Sequence, residues 1–319
     1  MTNSLQLNQR ATAIADQMAA DALRLGIAVH TLDNGACILD CGINVTGGLE
    51  AGRLFAEVCM GGLGTISFNS ISLDGWWLPG LVVHTAHPVE ACLASQYAGW
   101  MLKHADYFAM GSGPARSVIR AEAKLYDELN YAEESDVAVL TLETRTLPTG
   151  DVAAYVAERA HVRPEALTLL VAPTASTAGS VQIAARVVET ALHKLHTLGF
   201  DIHKVMSGFG TCPLPPIAKS DARAIGRTND AVLYAGQVHL TVRAEDAELK
   251  ALVSQIPAST SKDYGKPFYD TLKAAEFDFY KIDPLLFSPA EIFLNNVTSG
   301  NTFQAGQINV DVLRQSFMP

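Results

Sequence analysis

Four polar side chains share one edge of the segment VQIAARVVETALHKLHTLGF, residues 181–200: Arg186, Glu189, His193 and His196. On a helix with about 100° between residues, the last three lie within roughly 80° of Arg186, and the apolar side chains gather on another face. A carboxylate held in such a place can act as a general base, and an adjacent guanidinium can orient it. The simpler interpretation is an exposed Arg186–Glu189 ion pair, which contributes well under about 1 kcal/mol. The spacing alone favours that simpler interpretation.

Four glycine-rich segments follow predicted strands or helices: GGLEAG (47–52), MGGLG (60–64), MGSGPAR (110–116) and SGFGT (207–211). None has the GxGxxG or GxxxxGK[ST] spacing of a dinucleotide or P-loop site, so tight turns are the expected structure. In MGSGPAR, Ser112 and Arg116 place a hydroxyl and a guanidinium beside flexible backbone. This pairing suits an anion or a carboxylate.

His84, His87 and Glu90 in HTAHPVE raise the question of a metal site. Pro88 interrupts any regular geometry between them, and the spacing is not the HExxH of a helical zinc site, so a polar pocket is the preferred interpretation. The five cysteines are scattered and form no CxxC pair, and we expect them to be reduced and mostly buried. No GxSxG segment supports a serine nucleophile.

Composition excludes several classes of protein. The 319 residues are 49% hydrophobic and carry a formal net charge of −10, which indicates a compact globular chain without a basic footprint for nucleic acid. No apolar run reaches the roughly 18 residues of a membrane span, and the amino terminus lacks a signal-peptide pattern. We therefore expect a soluble cytoplasmic protein that binds neither nucleic acid nor membranes.

Strands and helices are predicted to alternate along the chain. The first half reads as a helix in residues 1–26, a strand hairpin around 33–35, a helix in 46–60, strands in 64–73 and 78–87, and a helix in 88–104. The second half reads as a strand in 135–144, a helix in 148–162, a strand in 166–173, a long helix in 176–199, a hairpin in 230–244, short helices in 244–255 and 261–277, and an ordered polar loop in 287–309.

This alternation predicts an α/β protein, with mixed α+β detail. The unit of strand, turn, helix and glycine-rich loop in residues 81–114 resembles that in residues 167–213. We therefore predict two α/β domains of related plan with a substrate cleft between them, at residues 1–135 and 136–319. The tail from residue 230 either stays in the second domain or returns to the first.

Five segments in combination resemble the methenyltetrahydromethanopterin cyclohydrolases: ARVVETALHKLHTLGFDI, DCGINVTGGLEAGR, AHPVEACLASQYAGW, FAMGSGPAR and NNVTSGNTFQAGQIN. The similarity extends over essentially the whole chain. It implies a cytoplasmic enzyme of one-carbon metabolism that adds water, reversibly, to the cationic methenyl bridge of a tetrahydromethanopterin to give the formyl derivative. It also implies two α/β domains with the pterin in the cleft, a homotrimer, and no metal or redox cofactor.

In that family an arginine and a glutamate three residues later carry the catalysis, and they match Arg186 and Glu189. We expect Glu189 to be the general base toward water and Arg186 to fix its carboxylate and favour the ionised form. Candidates for binding the pterin are Ser112, Arg116, Thr46, Gly47, Gly48, Asn295, Asn296 and Thr298. Arg116, Lys219 and Arg223 are weaker candidates for an acidic coenzyme tail.

Two rival interpretations remain open. A metal-assisted amidohydrolase would use His84, His87 and Glu90. A non-catalytic pterin-binding protein would keep Arg186 and Glu189 as a structural pair.

Overall fold

The structure is a computed structural model that describes residues 5–318. Its contacts divide the chain into two compact units, Met1–Thr65 with Glu90–Gln182 and Ile66–Val89 with Ile183–Pro319. The predicted boundary at residues 135/136 therefore lies inside the first unit, because the strands on either side of it pair in one sheet. The tail from residue 230 belongs to the second unit.

The elements of the described residues are as follows. In chain order they are α1 (Leu7–Ala20), α2 (Ala22–Leu25), β1 (Ala28–Thr31), β2 (Cys37–Asp40), α3 (Leu49–Cys59), β3 (Gly64–Leu73), β4 (Trp76–Thr85), a π-helix (Val89–Gln96), β5 (Trp100–His104), β6 (Tyr107–Ser112), α4 (Ala115–Ile119), α5 (Ala123–Glu128), β7 (Ala138–Glu143) and α6 (Gly150–Arg159). They continue with β8 (Leu167–Ala172), α7 (Thr177–Ala184), α8 (Val187–Thr197), β9 (Val205–Pro213), α9 (Asp221–Ala235), β10 (Gln237–Val242), α10 (Asp246–Leu252), α11 (Phe268–Ala274), β11 (Glu291–Asn296), β12 (Thr302–Gly306) and α12 (Val310–Phe317).

A six-stranded mixed sheet forms the centre of the first unit, in the order β1-β2-β8-β7-β6-β5. Its middle strands β2, β8 and β7 are parallel, and antiparallel strands flank them. Alternate side chains of these strands enter two cores: Leu39 and Leu170 pack with α1 and α3, whereas Ile38 and Leu169 pack with α6. Because both faces are covered, the middle strands are apolar at nearly every position.

The second unit has its own six-stranded mixed sheet, in the order β12-β11-β10-β9-β4-β3. Strands β10 and β11 are parallel, and β9 pairs antiparallel with both β10 and β4. Helix α8 packs on β4, β9 and β10, and α11 and α12 pack against α9. The predicted α/β class is confirmed. No helix within residues 5–318 combines the length and apolar character needed to span a bilayer.

Four predicted elements are wrong in ways that share a cause. The predicted helix 88–104 is helical only as far as Gln96, because Trp100 and Leu102 alternate with an exposed Met101 and pair with β6. The predicted hairpin 230–244 is the end of α9 followed by β10. The predicted polar loop 287–309 is the β11–β12 hairpin, and SGFGT lies inside β9. The conformation of these segments is determined by pairing with strands that are distant in sequence. The local sequence pattern does not show which strands will pair.

Both copies of the predicted repeat cross the division between the units. The chain passes from one unit to the other after Val89 and again after Gln182. In the first copy, strand β4 therefore belongs to the second unit and the helix that follows belongs mainly to the first. The copies do not correspond to the two units.

Candidate active site

The predicted long helix 176–199 is interrupted where its candidate catalytic residues begin. Helix α7 ends at Ala184, and Arg186 is the N-cap of α8, with φ −82° and ψ 4°. Its amide donates to the carbonyl of Ile183 (3.0 Å), and its carbonyl accepts from the amide of Thr190 (2.8 Å). Glu189 is thus the third residue of α8, in a first turn where the positive end of the helix dipole stabilises a negative charge.

The burial of Arg186 and Glu189 decides whether they are a solvent-exposed ion pair or candidate catalytic residues. Arg186 is 9% exposed and Glu189 is 5% exposed, and each interacts with other groups of the protein. The interpretation as a solvent-exposed ion pair is therefore wrong. His193 and His196 are half-buried, and burial together with the neighbouring His196 lowers the pKa of His193. Two buried charged side chains at a helix start are an unusual and costly arrangement, of the kind that active sites use.

Two glycines of β9 determine how closely the first turn of α8 approaches the sheet. A Cβ on Gly208 would lie 2.6 Å from Cγ1 of Val188. A Cβ on Gly210 would lie 2.9 Å from Cγ1 of Val187 and 2.9 Å from Cγ2 of Val188. A larger residue at either of these two positions would push the start of α8 away from β9. The glycines therefore help to set the backbone position of Glu189.

The loop after β2 is organised by a buried carboxylate. Asp40 is fully buried and accepts from the amides of Gly42 (3.0 Å), Ile43 (2.7 Å) and Asn44 (2.9 Å). This loop starts at the carboxyl end of a strand that is parallel to its neighbour β8. Ligands of α/β proteins bind at that edge of the sheet.

Thr46, Gly47 and Gly48 complete this loop and lead into α3. Thr46 is exposed. Gly47 has φ +61°, and a Cβ there would lie 2.3 Å from the carbonyl oxygen of Cys41, so only glycine fits. Gly48 is the N-cap of α3. These three predicted binding residues therefore lie together at the carboxyl edge of the first unit's sheet.

Ser112 and Arg116 lie in the interior of the first unit. The hydroxyl groups of Ser112 and Thr141 are 2.8 Å apart. Arg116 is fully buried; its guanidinium donates to the carbonyl of Ser95 (3.0 Å) and to the Glu122 carboxylate (3.2 and 2.9 Å). The rings of Tyr97 and Tyr126 also flank it, with centroids at 5.3 and 5.7 Å. These contacts direct Arg116 toward the end of the π-helix.

Asn295, Asn296 and Thr298 belong to the β11–β12 hairpin. Asn296 is buried, and its amide nitrogen donates to the Ala244 carbonyl and the Asp246 carboxylate, both at 2.7 Å. Its amide oxygen accepts from the backbone of Thr298 (3.1 Å). Asn296 therefore shapes the turn, whereas Asn295 is half-buried and Thr298 is exposed.

Within residues 5–318, no three histidine, cysteine, aspartate or glutamate side chains come together as a metal-binding group. His84 and His87 are exposed and belong to the second unit, whereas Glu90 belongs to the first. All five cysteines are free and four are buried, which confirms that prediction. Lys219 and Arg223 are both exposed on the second unit.

Comparison with known proteins assigns the family. The family model described as Cyclohydrolase (MCH) matches residues 6–317. The chain belongs to this cyclohydrolase family. Among its relatives are proteins named methenyltetrahydromethanopterin cyclohydrolase from Methanococcoides burtonii (45% identical over 314 residues, 98% of each chain), Methylobacillus flagellatus (46% over 311 residues, 98% of this chain and 95% of the relative) and Methanocaldococcus jannaschii (44% over 316 residues, 98% of each chain). The resemblance seen in the sequence is confirmed.

Glu143 is a candidate in this cyclohydrolase chain that sequence reasoning missed. It is the last residue of β7, and the hydroxyl of Thr174, just after the parallel strand β8, donates to its carboxylate. It is half-buried and interacts with further groups of the protein. The available signal was an acidic residue closing an otherwise apolar strand, at the edge where α/β sheets bind ligands.

Lys194 is the second residue that was missed, and it lies on α8 itself. Its side chain is almost fully buried, and its ammonium group donates to the Thr260 hydroxyl (3.1 Å) and to the Leu285 carbonyl. Burial lowers the pKa of Lys194 to about 8, and nearby Asp283 opposes this effect. No sequence signal distinguishes it, because a lysine on the polar arc of a helix is normally solvated.

Proposed function

We propose that this chain catalyses the reversible addition of water to the methenyl bridge of methenyltetrahydromethanopterin, giving the formyl derivative. It would thus be a hydrolase acting on a cyclic amidine carbon–nitrogen bond. The observation that carries the proposal is about 45% identity, along 98% of the chain, to proteins that bear this enzyme's name. The burial of Arg186 and Glu189 at the start of α8 supports it, because a solvated pair would not suit the chemistry.

The proposed mechanism uses Glu189 as the general base. The bridge carbon is an amidinium-like electrophile, so a positioned water attacks it as Glu189 removes a proton. A new carbon–oxygen bond forms, and the proton passes from Glu189 to one ring nitrogen. The bond from carbon to that nitrogen then breaks as the added hydroxyl group releases its remaining proton to solvent and becomes the formyl carbonyl, so that one proton is released overall. The product carries a formyl group on the other nitrogen, and Glu189 is again ionised.

Arg186 would hold the Glu189 carboxylate in one rotamer and favour its negative charge. A single carboxylate next to a single guanidinium also avoids holding the cationic substrate too tightly. Uniformly tighter binding would stabilise the ground state as much as the transition state. Because the substrate carries its own positive charge, the proposed step requires neither a metal ion nor a redox cofactor.

For the pterin we propose contacts with Thr46, Gly47, Gly48, Asn295 and Thr298, whose loops are exposed or lie at a sheet edge. Ser112, Arg116 and Asn296 remain in the proposal, but their burial and hydrogen bonds favour a role in shaping these loops. A homotrimer in the cytoplasm is part of the same proposal and rests on the resemblance to the family.

The test is a spectrophotometric assay that follows loss of the near-ultraviolet absorbance of the methenyl compound. The tetrahydrofolate analogue is assayed in parallel to define the substrate class. We expect the wild-type protein to hydrolyse the methanopterin compound, and Glu189→Gln to reduce kcat at least about a hundredfold while remaining folded.

A near-normal rate for Glu189→Gln would remove Glu189 from the mechanism. Binding of the compound without loss of absorbance would instead favour a non-catalytic pterin-binding protein. Stoichiometric zinc or iron in the purified active protein, found by elemental analysis, would favour the metal-assisted amidohydrolase.

A further inference from the structure

A small cavity lies among helices α9, α11 and α12 of the second unit. It is partly open to solvent and has a volume of about 160 Å³, and its lining includes Arg223, Arg227, Tyr269, Asp270, Gln315 and Ser316. At about 30 Å³ for each water-sized group, this volume holds roughly five non-hydrogen atoms. A drug-sized or pterin-sized ligand needs upward of about 300 Å³, so the cavity suits only a small ion.

Two guanidinium groups without carboxylate partners line this cavity. Arg223 lies over the ring of Tyr269, 4.5 Å from its centroid, and forms no ion pair within the part of the chain that the structure describes. Arg227 donates only to backbone carbonyls, those of Ser316 (3.2 Å), Pro216 (3.1 Å) and Ile217 (3.3 Å). Its Nη2 has no protein acceptor among residues 5–318.

The two arginines are four residues apart on α9 and therefore neighbours on its surface. Burial and the adjacent charge of Arg223 both lower the pKa of Arg227, as expected for like charges held close together. An oxyanion between them would remove this repulsion and satisfy the free N–H groups with charge-assisted hydrogen bonds.

The opposite wall of the cavity is held in place by two contacts between α9 and α11. A Cβ on Gly226 would lie 2.8 Å from Cβ of Tyr269, so the glycine allows the two helices to meet. The fully buried Asp230 accepts from the amide of Phe268 (2.8 Å) and fixes the start of α11. Tyr269 and Asp270 follow directly, and both are therefore presented to the cavity by rigid elements.

We propose that this cavity binds a hydrogen phosphate group through Arg223 and Arg227. Guanidinium groups match the oxygens of a tetrahedral oxyanion bidentately. Asp270 selects among such anions, because phosphate near neutral pH keeps a hydrogen that it can donate to the carboxylate. Sulfate carries no such hydrogen, and Asp270 would repel it. The site does not depend on the proposed catalytic activity.

The test is calorimetric titration of the full chain with sodium phosphate at pH 7 and constant ionic strength. Saturable binding is expected, and Arg223→Gln should weaken it about tenfold or more, the loss expected for a hydrogen bond to a charged group. Arg243→Gln is the matched control, because Arg243 is an exposed arginine of the same unit outside the cavity and its loss changes the net charge equally. That variant should bind like the wild type.

Two further titrations examine selectivity and the source of the phosphate group. Sulfate should bind far more weakly than phosphate, and Asp270→Asn should remove this difference. Inorganic phosphate should also bind more tightly than glycerol 3-phosphate, because a phosphate ester near neutral pH is mostly a dianion without a hydrogen for Asp270. The reverse order would overturn the role of Asp270. Absence of saturable binding of either compound, equal binding of sulfate to the wild type, or an equal loss in Arg243→Gln would overturn the proposal.

Discussion

Within residues 5–318, each unit of the protein buries one glutamate, and the two lie in different settings. Glu133, in the first unit, is 7% exposed and accepts from the backbone and side-chain amides of Asn8 (2.9 and 3.2 Å), the Ser117 hydroxyl (3.2 Å) and the Tyr131 hydroxyl (3.0 Å). Glu189, in the second unit, is 5% exposed. The carboxylate of Glu133 joins α1 to the segments around α4 and β7, so its own hydrogen bonds stabilise the fold.

The position of Glu189 is constrained through its backbone. Helix α8 starts at Arg186, and its first turn lies on Gly208 and Gly210 of β9. Burial alone therefore does not separate a structural glutamate from a catalytic one. We expect substitution of Glu133, whose carboxylate connects several elements, to reduce stability. Substitution of Glu189, in the first turn of α8, should instead reduce turnover.

The largest effect on stability is expected for Arg116→Met in the first unit. The change leaves Glu122 and the carbonyl of Ser95 without a buried cation, and breaking such a pair costs about 3–5 kcal/mol. The midpoint of urea unfolding, followed by circular dichroism, should fall accordingly, whereas Arg163→Gln at an exposed position should leave it unchanged. The kcat of folded Arg116→Met should be close to that of the wild type. A stable variant without turnover would move Arg116 into the active site.

Glu133→Gln is the matched counterpart of Glu189→Gln. The amide replaces one acceptor oxygen by a donor that faces Asn8, Ser117 or Tyr131, and an unsatisfied buried group costs about 1–3 kcal/mol. We expect a lower unfolding midpoint with kcat retained, the opposite of the result for Glu189→Gln. If both variants lost turnover without losing stability, the contrast between the two glutamates would fail.

The sequence predicts correctly what local residues determine. The β1–β2 hairpin is marked by Asp33–Asn34–Gly35, and the start of α3 by Gly47 and Gly48. Helical spacing also places Arg186 and Glu189 within one turn of each other, at the start of α8. Each of these features depends on residues within a few positions, where turn chemistry and helical periodicity apply.

Features that depend on distant residues are not predictable in the same way. A helical wheel shows which side chains share a face, but not which face the rest of the chain covers, so it assigns Arg186 and Glu189 to solvent. Arg116 looks like a ligand contact in MGSGPAR because Tyr126 and Glu122, which enclose it, lie outside the motif. The role of a buried polar group can be interpreted only from its hydrogen-bond partners, and sequence spacing does not reveal those partners.

Gly210→Ala tests whether β9 positions the start of α8. The new Cβ would lie 2.9 Å from atoms of both Val187 and Val188, and overpacking of this kind costs about 1–3 kcal/mol. Because the strain falls on the first turn of α8, kcat should decrease more than the change in stability alone explains. Gly150→Ala is the control, since its Cβ meets only Asn34 Nδ2 at 3.9 Å, and it should leave both kcat and stability nearly unchanged. Equal effects of the two variants on kcat would contradict the role of β9.

Lys194→Met gives the smallest and most specific effect, at the other end of α8. Burial lowers the pKa of Lys194 from 10.5 to about 8, so between these pH values the unfolded chain holds a proton that the folded protein has released. The free energy of unfolding of the wild type therefore rises with pH in this window through Lys194, by at most about 1.4 kcal/mol per pH unit.

The measurement is the difference in the free energy of unfolding, wild type minus Lys194→Met, at several values between pH 7 and pH 10. This difference should increase with pH, because groups shared by the two proteins cancel. Lys204→Met is the control: its hydrogen bond to Glu248 raises the pKa of Lys204, so its titration lies above the window and its difference should stay flat. A flat difference for Lys194 as well would mean that its ammonium stays charged when buried. In that case Thr260 and the Leu285 carbonyl, with Asp283 nearby, fully replace its hydration, and Lys194 stabilises α8 in the same way that Glu133 stabilises the first unit.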